Sequence, residues 1–205
     1  MNPLRGGWVY KNNADIKTLI PAHMSSTLAS NFKPATLRDI LIEDIQDLYS
    51  AETCRNKALE KMAVAASNEA LQKIFHRHLE SGKKHVQRLE QAAKSLGIPA
   101  EGKHCSGMMG ITLDMEVMIR SRPSGIRDIQ LVCTAQKMTH YKLVGYGSAT
   151  VVAKLLKLET PAKLMQATLA EENICKAELS ALGGDTSYAP FGSTTQYTAG
   201  LRKAI

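Results

Sequence analysis

Residues 37–62 read LRDILIEDIQDLYSAETCRNKALEKM, and the spacing within this stretch decides the fold. Leu41, Ile45, Leu48, Leu59 and Met62 recur at helical intervals, and Glu52 stands on the same stripe, four residues after Leu48 and seven before Leu59. Thr36 offers an N-cap with Asp39 three residues on, a start resembling a capping box, so the spacing predicts a helix from Thr36 to about Ala66. A carboxylate on a buried apolar stripe is costly unless it is paired or bound to a cation. Glu52 therefore raises the question of what it faces.

Working outward, a second helix is predicted from Ser67-Asn68 to Leu96, stopped by Gly97 and Pro99, with an inner stripe of Leu71, Ile74, His78, Ser81, His85 and Leu89. GMMGITLDMEVMIRS (107–121) reads as a shorter helix closed by Pro123 and Gly125. A third long helix is predicted over about 127–156 and a fourth over about 160–182, with Pro161 in its first turn and Gly183-Gly184 after it. No strand-like alternation competes. Two helical pairs joined by a long connection predict an all-α, ferritin-like antiparallel four-helix bundle over 37–182, with a short extra helix in the crossover. Residues 1–36 read as an extension that packs at an interface between subunits through Trp8, Tyr10, Leu19 and Ile20. Residues 183–205 read as a turn-rich tail.

Each long helix carries a polar group where leucine would be expected. His78 and His85 share the inward stripe of the second helix, His140 lies between Gln136 and Leu143 on the third, and Glu172 lies between Leu169 and Leu179 on the fourth. Carboxylates and imidazoles brought together inside a bundle suit iron, manganese or zinc. The plain alternative is that Glu52 is hydrogen-bonded by Tyr49 or Arg55 of its own helix, and that His78 and His140 are core histidines with satisfied ring nitrogens. Gly145 and Gly147 in GYGS sit inside a helical stretch, where they permit close packing rather than cradle a phosphate.

The chain has 205 residues, 44% hydrophobic and 22% charged, enough for one sizeable core. Its net charge of +7 is dispersed: residues 37–182 hold about +3 and the first 36 another +3, which argues against a concentrated nucleic-acid face. Cys54, Cys105, Cys133 and Cys175 have no paired spacing and read as reduced thiols in a cytoplasmic protein, and no apolar run is long enough to cross a membrane. No serine or cysteine stands in a nucleophile-and-base arrangement.

The stretches LRDILIEDIQDLYSAET, HLESGKKHVQRLE, AQKMTHYKLVGY and LAEENICKAEL resemble the YciE/YciF family of bacterial ferritin-like, stress-associated proteins, over about 70% of the chain. In that family the helices read DELxDLYxAE, HLEETxxHVERLE, AQKxEHYExAxY and LxEExxxDxxL, with inward acids and histidines resembling a di-metal carboxylate site. The resemblance implies iron or manganese as cofactor, a dimer or larger homo-oligomer, and Glu52, His85 and Glu172 as metal residues, and His140 or His78 is the candidate for a helping ligand to a residual site. Asp44 replaces a glutamate conservatively. Other positions depart: Ser81 stands one turn before His85 in a glutamate slot, Thr139 and Lys142 replace the glutamates flanking His140-Tyr141, and Lys176 replaces an aspartate one turn after Glu172. Such a centre uses four carboxylates and two histidines, so the site is expected to be degenerate, with Lys142 or Lys176 paired to an inward carboxylate. Three functions follow: a structural or assembly scaffold, a redox or metal-storage protein with a residual site, and a basic module for an anionic partner.

Overall fold

The computed structural model describes residues 36–183, which form five helices and, among the described residues, no strand. They are α1 (Leu37–Ala65), α2 (Glu69–Leu96), α3 (Ser106–Ser121), α4 (Ser124–Leu155) and α5 (Glu159–Gly183). The readings of residues 1–35 and 184–205 lie outside the described residues.

The helix ends follow from local chemistry. The Asn68 side chain accepts from the Ala70 and Leu71 N–H groups and caps α2. Asp128, on α4, accepts from the Ser67 N–H, the Ser67 hydroxyl and the Asn68 N–H, so the sharp α1–α2 corner is tied to a helix distant in sequence. Gly97 ends α2 at φ 70°, with Ile98 N–H donating to Ala93 O and Gly97 N–H to Lys94 O. The same pair of bonds closes α4, but there the left-handed position is Lys157, at φ 57°. That second stop carries no glycine signal. Helix α4 also begins earlier than expected, at Ser124 directly after Pro123. Gly125 thus lies in its first turn, where backbone N–H groups have no intrahelical partner to lose.

Packed neighbours among the four long helices are antiparallel. α1 packs on α2 and α4, α5 packs on α4 and α2, and α3 lies against α1 and α4. Direction follows from side-chain pairs: Tyr146 of α4 reaches Glu52 of α1 while Asp128 meets Ser67 at the far end of α1. His78 meets Glu178 while Arg88 meets Thr168. This is a ferritin-like bundle with its crossover helix.

The buried residues of α1 include Leu41, Ile45, Leu48, Glu52, Arg55, Leu59 and Met62, the expected stripe with Arg55 added. On α2 the expected Ser81 is half-buried and Gly82 faces inward instead. A Cβ on Gly82 would lie 2.0 Å from Asn56 Oδ1, so the side chain of α1 fills that place. Gly145 likewise fits against Leu48, whose Cδ2 would be 2.8 Å from an added Cβ, whereas Gly147 faces open space. Two apolar clusters result. One gathers Leu59, Met62, Phe75, Met108, Met115, Leu131, Met138 and Leu179; the other gathers Leu41, Ile45, Leu48, Leu89, Tyr146, Ala149 and Met165. Between them along every long helix lies a polar layer of Glu52, Arg55, His85, Lys142 and Glu172, all buried.

Candidate functional site

Each long helix contributes to this layer because its inward stripe is polar at one level. α1 gives Glu52 and, three residues on, Arg55; α2 gives His85; α4 gives Lys142 and Tyr146; α5 gives Glu172. Lys142 Nζ stands 2.8 Å from Glu52 Oε1 and 2.8 Å from Glu172 Oε1, bridging the two carboxylates. Tyr146 donates its hydroxyl to Glu52 Oε1 at 2.8 Å. His85 Nδ1 lies 3.2 Å from Glu52 Oε1 and 3.4 Å from Glu172 Oε1. Arg55 approaches Glu52 Oε2 and Glu172 Oε1 at 4.0 Å each.

The remaining ring nitrogen connects the layer to the surface. His85 Nε2 lies 2.9 Å from Glu171 Oε2, and Arg88 donates to the other oxygen of Glu171 at 2.6 Å and to Thr168. The hydrogen bond from Arg88 lowers the Glu171 carboxyl to about 2. Two turns from His85 toward the α1–α2 corner, His78 Nε2 is 2.9 Å from Glu178 Oε2. Burial, with Arg55 nearby, lowers His78 to about 4.

Electrostatics favour the ionised network. Burial alone would push Glu52 and Glu172 up, but Lys142, joined by His85 at Glu52 and by Arg55 at Glu172, outweighs it and holds both below the usual carboxylate range. The Tyr146 phenol is raised well above its ordinary value by burial and by Glu52. Two carboxylates thus meet one ammonium and one guanidinium, and their charges cancel within the layer. Glu52 Oε2, Glu172 Oε2, Arg55 Nη1 and Thr139 Oγ1 make no hydrogen bond among the described residues.

The three residues expected to converge do so: one donor atom each from Glu52, His85 and Glu172 lies within 4.8 Å of the others. His140 is not among them. It is exposed, because the inward register of α4 passes through Met138, Thr139 and Lys142, leaving residue 140 on the outer face. Of the two lysines, Lys142 is fully buried and paired, while Lys176 is half-buried and no ion pair with it is found among the described residues. Glu171 and Arg88 are additions to the sequence reading. The doubled acid Glu171-Glu172 is the signal, but which acid turns inward depends on helix register.

This donor set does not fit a two-metal centre. It holds two inward carboxylates and one histidine where such a centre needs four and two. Lys142 already touches an oxygen of each carboxylate that would have to hold a metal. A divalent ion about 4 Å from that ammonium would meet roughly 8 kcal/mol of repulsion at an effective dielectric of 20.

Comparison with known proteins agrees with this architecture. The family described as "Domain of unknown function (DUF892)" matches residues 36–188. The chain belongs to the DUF892 family. It is 34% identical over 149 residues to protein YciF of Escherichia coli (strain K12), a match covering 72% of this chain and 90% of that protein. Among solved structures, the E. coli stress protein YciF superposes with a TM-score of 0.69 at 34% identity, over 72% of this chain and 94% of that one. YcfI from Rhodopseudomonas palustris, described as "a putative structural protein", gives a TM-score of 0.69 at 29% identity, over 73% and 98%. The DUF892 match ends at 188, just past α5, and contains every residue of the polar layer.

Proposed function

We propose that this DUF892 chain is a stress-associated structural scaffold whose bundle centre is held by its own lysine in place of a metal, and that it acts as an assembly component rather than an oxidase. The observation that carries the reading is Lys142 Nζ at 2.8 Å from both Glu52 and Glu172. With Arg55 beside it, the lysine leaves the two acids with no charge for a cation to neutralise. Similarity to YciF, described as a stress protein, and to YcfI supports the same role. Elemental analysis of protein purified without chelators tests it. The reading expects well under one iron, manganese or zinc per chain and no oxygen consumption on adding ferrous iron; two tightly bound metals per chain would refute it.

The convergence of Glu52, His85 and Glu172 within 4.8 Å favours a second reading, a residual mononuclear site serving redox or storage chemistry. One metal per chain, lost on replacing His85 by alanine, would establish it over the scaffold.

An assembly role also requires self-association. Exposed apolar side chains support it: Met109, Leu113 and Val117 along α3, and Val144, Val151 and Leu155 along α4. The sequence of the first 36 residues contains two further aromatics, Trp8 and Tyr10. Light scattering of the full chain and of a form lacking residues 1–30 should give a smaller particle for the truncated form, and an unchanged oligomer would remove the extension from the interface. Four free cysteines, and the lack of any described helix long and apolar enough to cross a membrane, are consistent with a cytoplasmic setting.

A further inference from the structure

We infer that Lys142 alone decides whether this bundle takes a divalent cation: it occupies a three-ligand site that is otherwise formed. The inference rests on the metal-free reading above and goes beyond it by assigning the exclusion to one side chain.

Three distances carry it. A tetrahedral ion with bonds of about 2.1 Å spaces its donor atoms about 3.4 Å apart. His85 Nδ1 lies 3.2 Å from Glu52 Oε1 and 3.4 Å from Glu172 Oε1, so two edges of that tetrahedron already exist. Lys142 Nζ is 2.8 Å from the same two oxygens. The ammonium therefore sits against the donors and supplies the positive charge a metal would bring.

The supporting contacts do not depend on the lysine. Glu171 holds His85 through Nε2, leaving Nδ1 turned to the carboxylates, the arrangement by which a carboxylate orients a metal-binding imidazole. Tyr146 holds Glu52. Among the described residues, Glu52 Oε2 and Glu172 Oε2 have no hydrogen-bond partner that would compete with an ion for them. Removing the ammonium leaves two buried carboxylates against the single guanidinium of Arg55, an excess negative charge that a divalent cation neutralises. Two carboxylates, one imidazole and an open fourth position suit zinc or cobalt.

The test is a titration of full-length wild type and Lys142→Ala with cobalt(II), read by visible absorption and equilibrium dialysis, with helicity followed by circular dichroism. Lys142→Ala is expected to bind one cobalt per chain at least a hundredfold more tightly than wild type, with tetrahedral visible bands that disappear when His85→Ala is added. If Lys142→Ala folds only in the presence of cobalt, that also supports the assignment. Should it not fold in either condition, Lys142→Gln, which keeps hydrogen bonding but not charge, is titrated in its place with the same expectation. A folded variant that takes up no cobalt overturns the inference while leaving the metal-free scaffold intact. Wild type that binds cobalt as tightly as the variant overturns it too. Wild type that carries stoichiometric metal as purified overturns the underlying reading instead.

Discussion

The Tyr146 hydroxyl on α4 donates to Glu52 Oε1 on α1 at 2.8 Å, with both residues fully buried. A hydrogen bond to a buried carboxylate is among the stronger kinds, at roughly 1.5–3 kcal/mol. Tyr146→Phe keeps the ring and removes only the donor. It is expected to lower stability to denaturant by about that amount without changing helix content.

Lys142 and Lys176 should respond in opposite ways. Lys142→Met strands two buried carboxylates beside one guanidinium and is expected to cost about 3–5 kcal/mol in urea unfolding. Adding Glu172→Gln to Lys142→Met should recover much of that loss, because Glu52 then faces the Arg55 guanidinium one to one and no excess charge stays buried. Lys176→Ala, at a half-buried position on α5, should stay within about 0.5 kcal/mol. A large effect at Lys176 would place it in the network after all.

Two glycines in α4 separate packing from helix propensity. Gly147→Ala meets open space and should stabilise the protein by up to about 1 kcal/mol. Gly145→Ala gains the same propensity but drives a Cβ into Leu48, a core residue, for an overpacking penalty of about 1–3 kcal/mol. Thermal melts of the two variants should move in opposite directions.

Acid sensitivity should begin at His78. With its folded value lowered to about 4 by burial and by Arg55, it stays neutral in the bundle while the unfolded chain takes up a proton near pH 6.5. The unfolded state then binds more protons, so stability falls as pH drops from about 6.5 to 4, by up to about 3 kcal/mol. Glu52, Glu172 and Glu171 act lower: their contributions are complete above about pH 4.5 and are lost as pH falls toward their depressed folded values. Urea midpoints at pH 7, 5.5 and 4.5 should drop steadily for wild type and much less for His78→Gln.

Periodicity and caps along the chain settled the helices, their order and most of the apolar stripes of α1 and α2. Leu41, Ile45, Leu48, Leu59 and Met62 reveal a buried stripe because periodicity is a property of one helix, and Asn68 and Gly97 mark ends because caps act over a few residues. Glu52, His85 and Glu172 were legible for the same reason: each breaks the apolar pattern of its own helix. Other features lay beyond any single helix. His140 and Thr139 are neighbours in sequence, and only the rotation of α4 against α1 and α5 put the threonine inside and the histidine in solvent. Nothing local distinguishes Lys142 from Lys176, yet one lies 2.8 Å from two buried carboxylates and the other faces no acid within ion-pair distance among the described residues. Glu171 joins the centre only through His85, and Asp128 caps the α1–α2 corner from the start of α4. Those choices belong to the tertiary structure because pairing energy depends on distance between helices, which spacing along one chain segment does not encode.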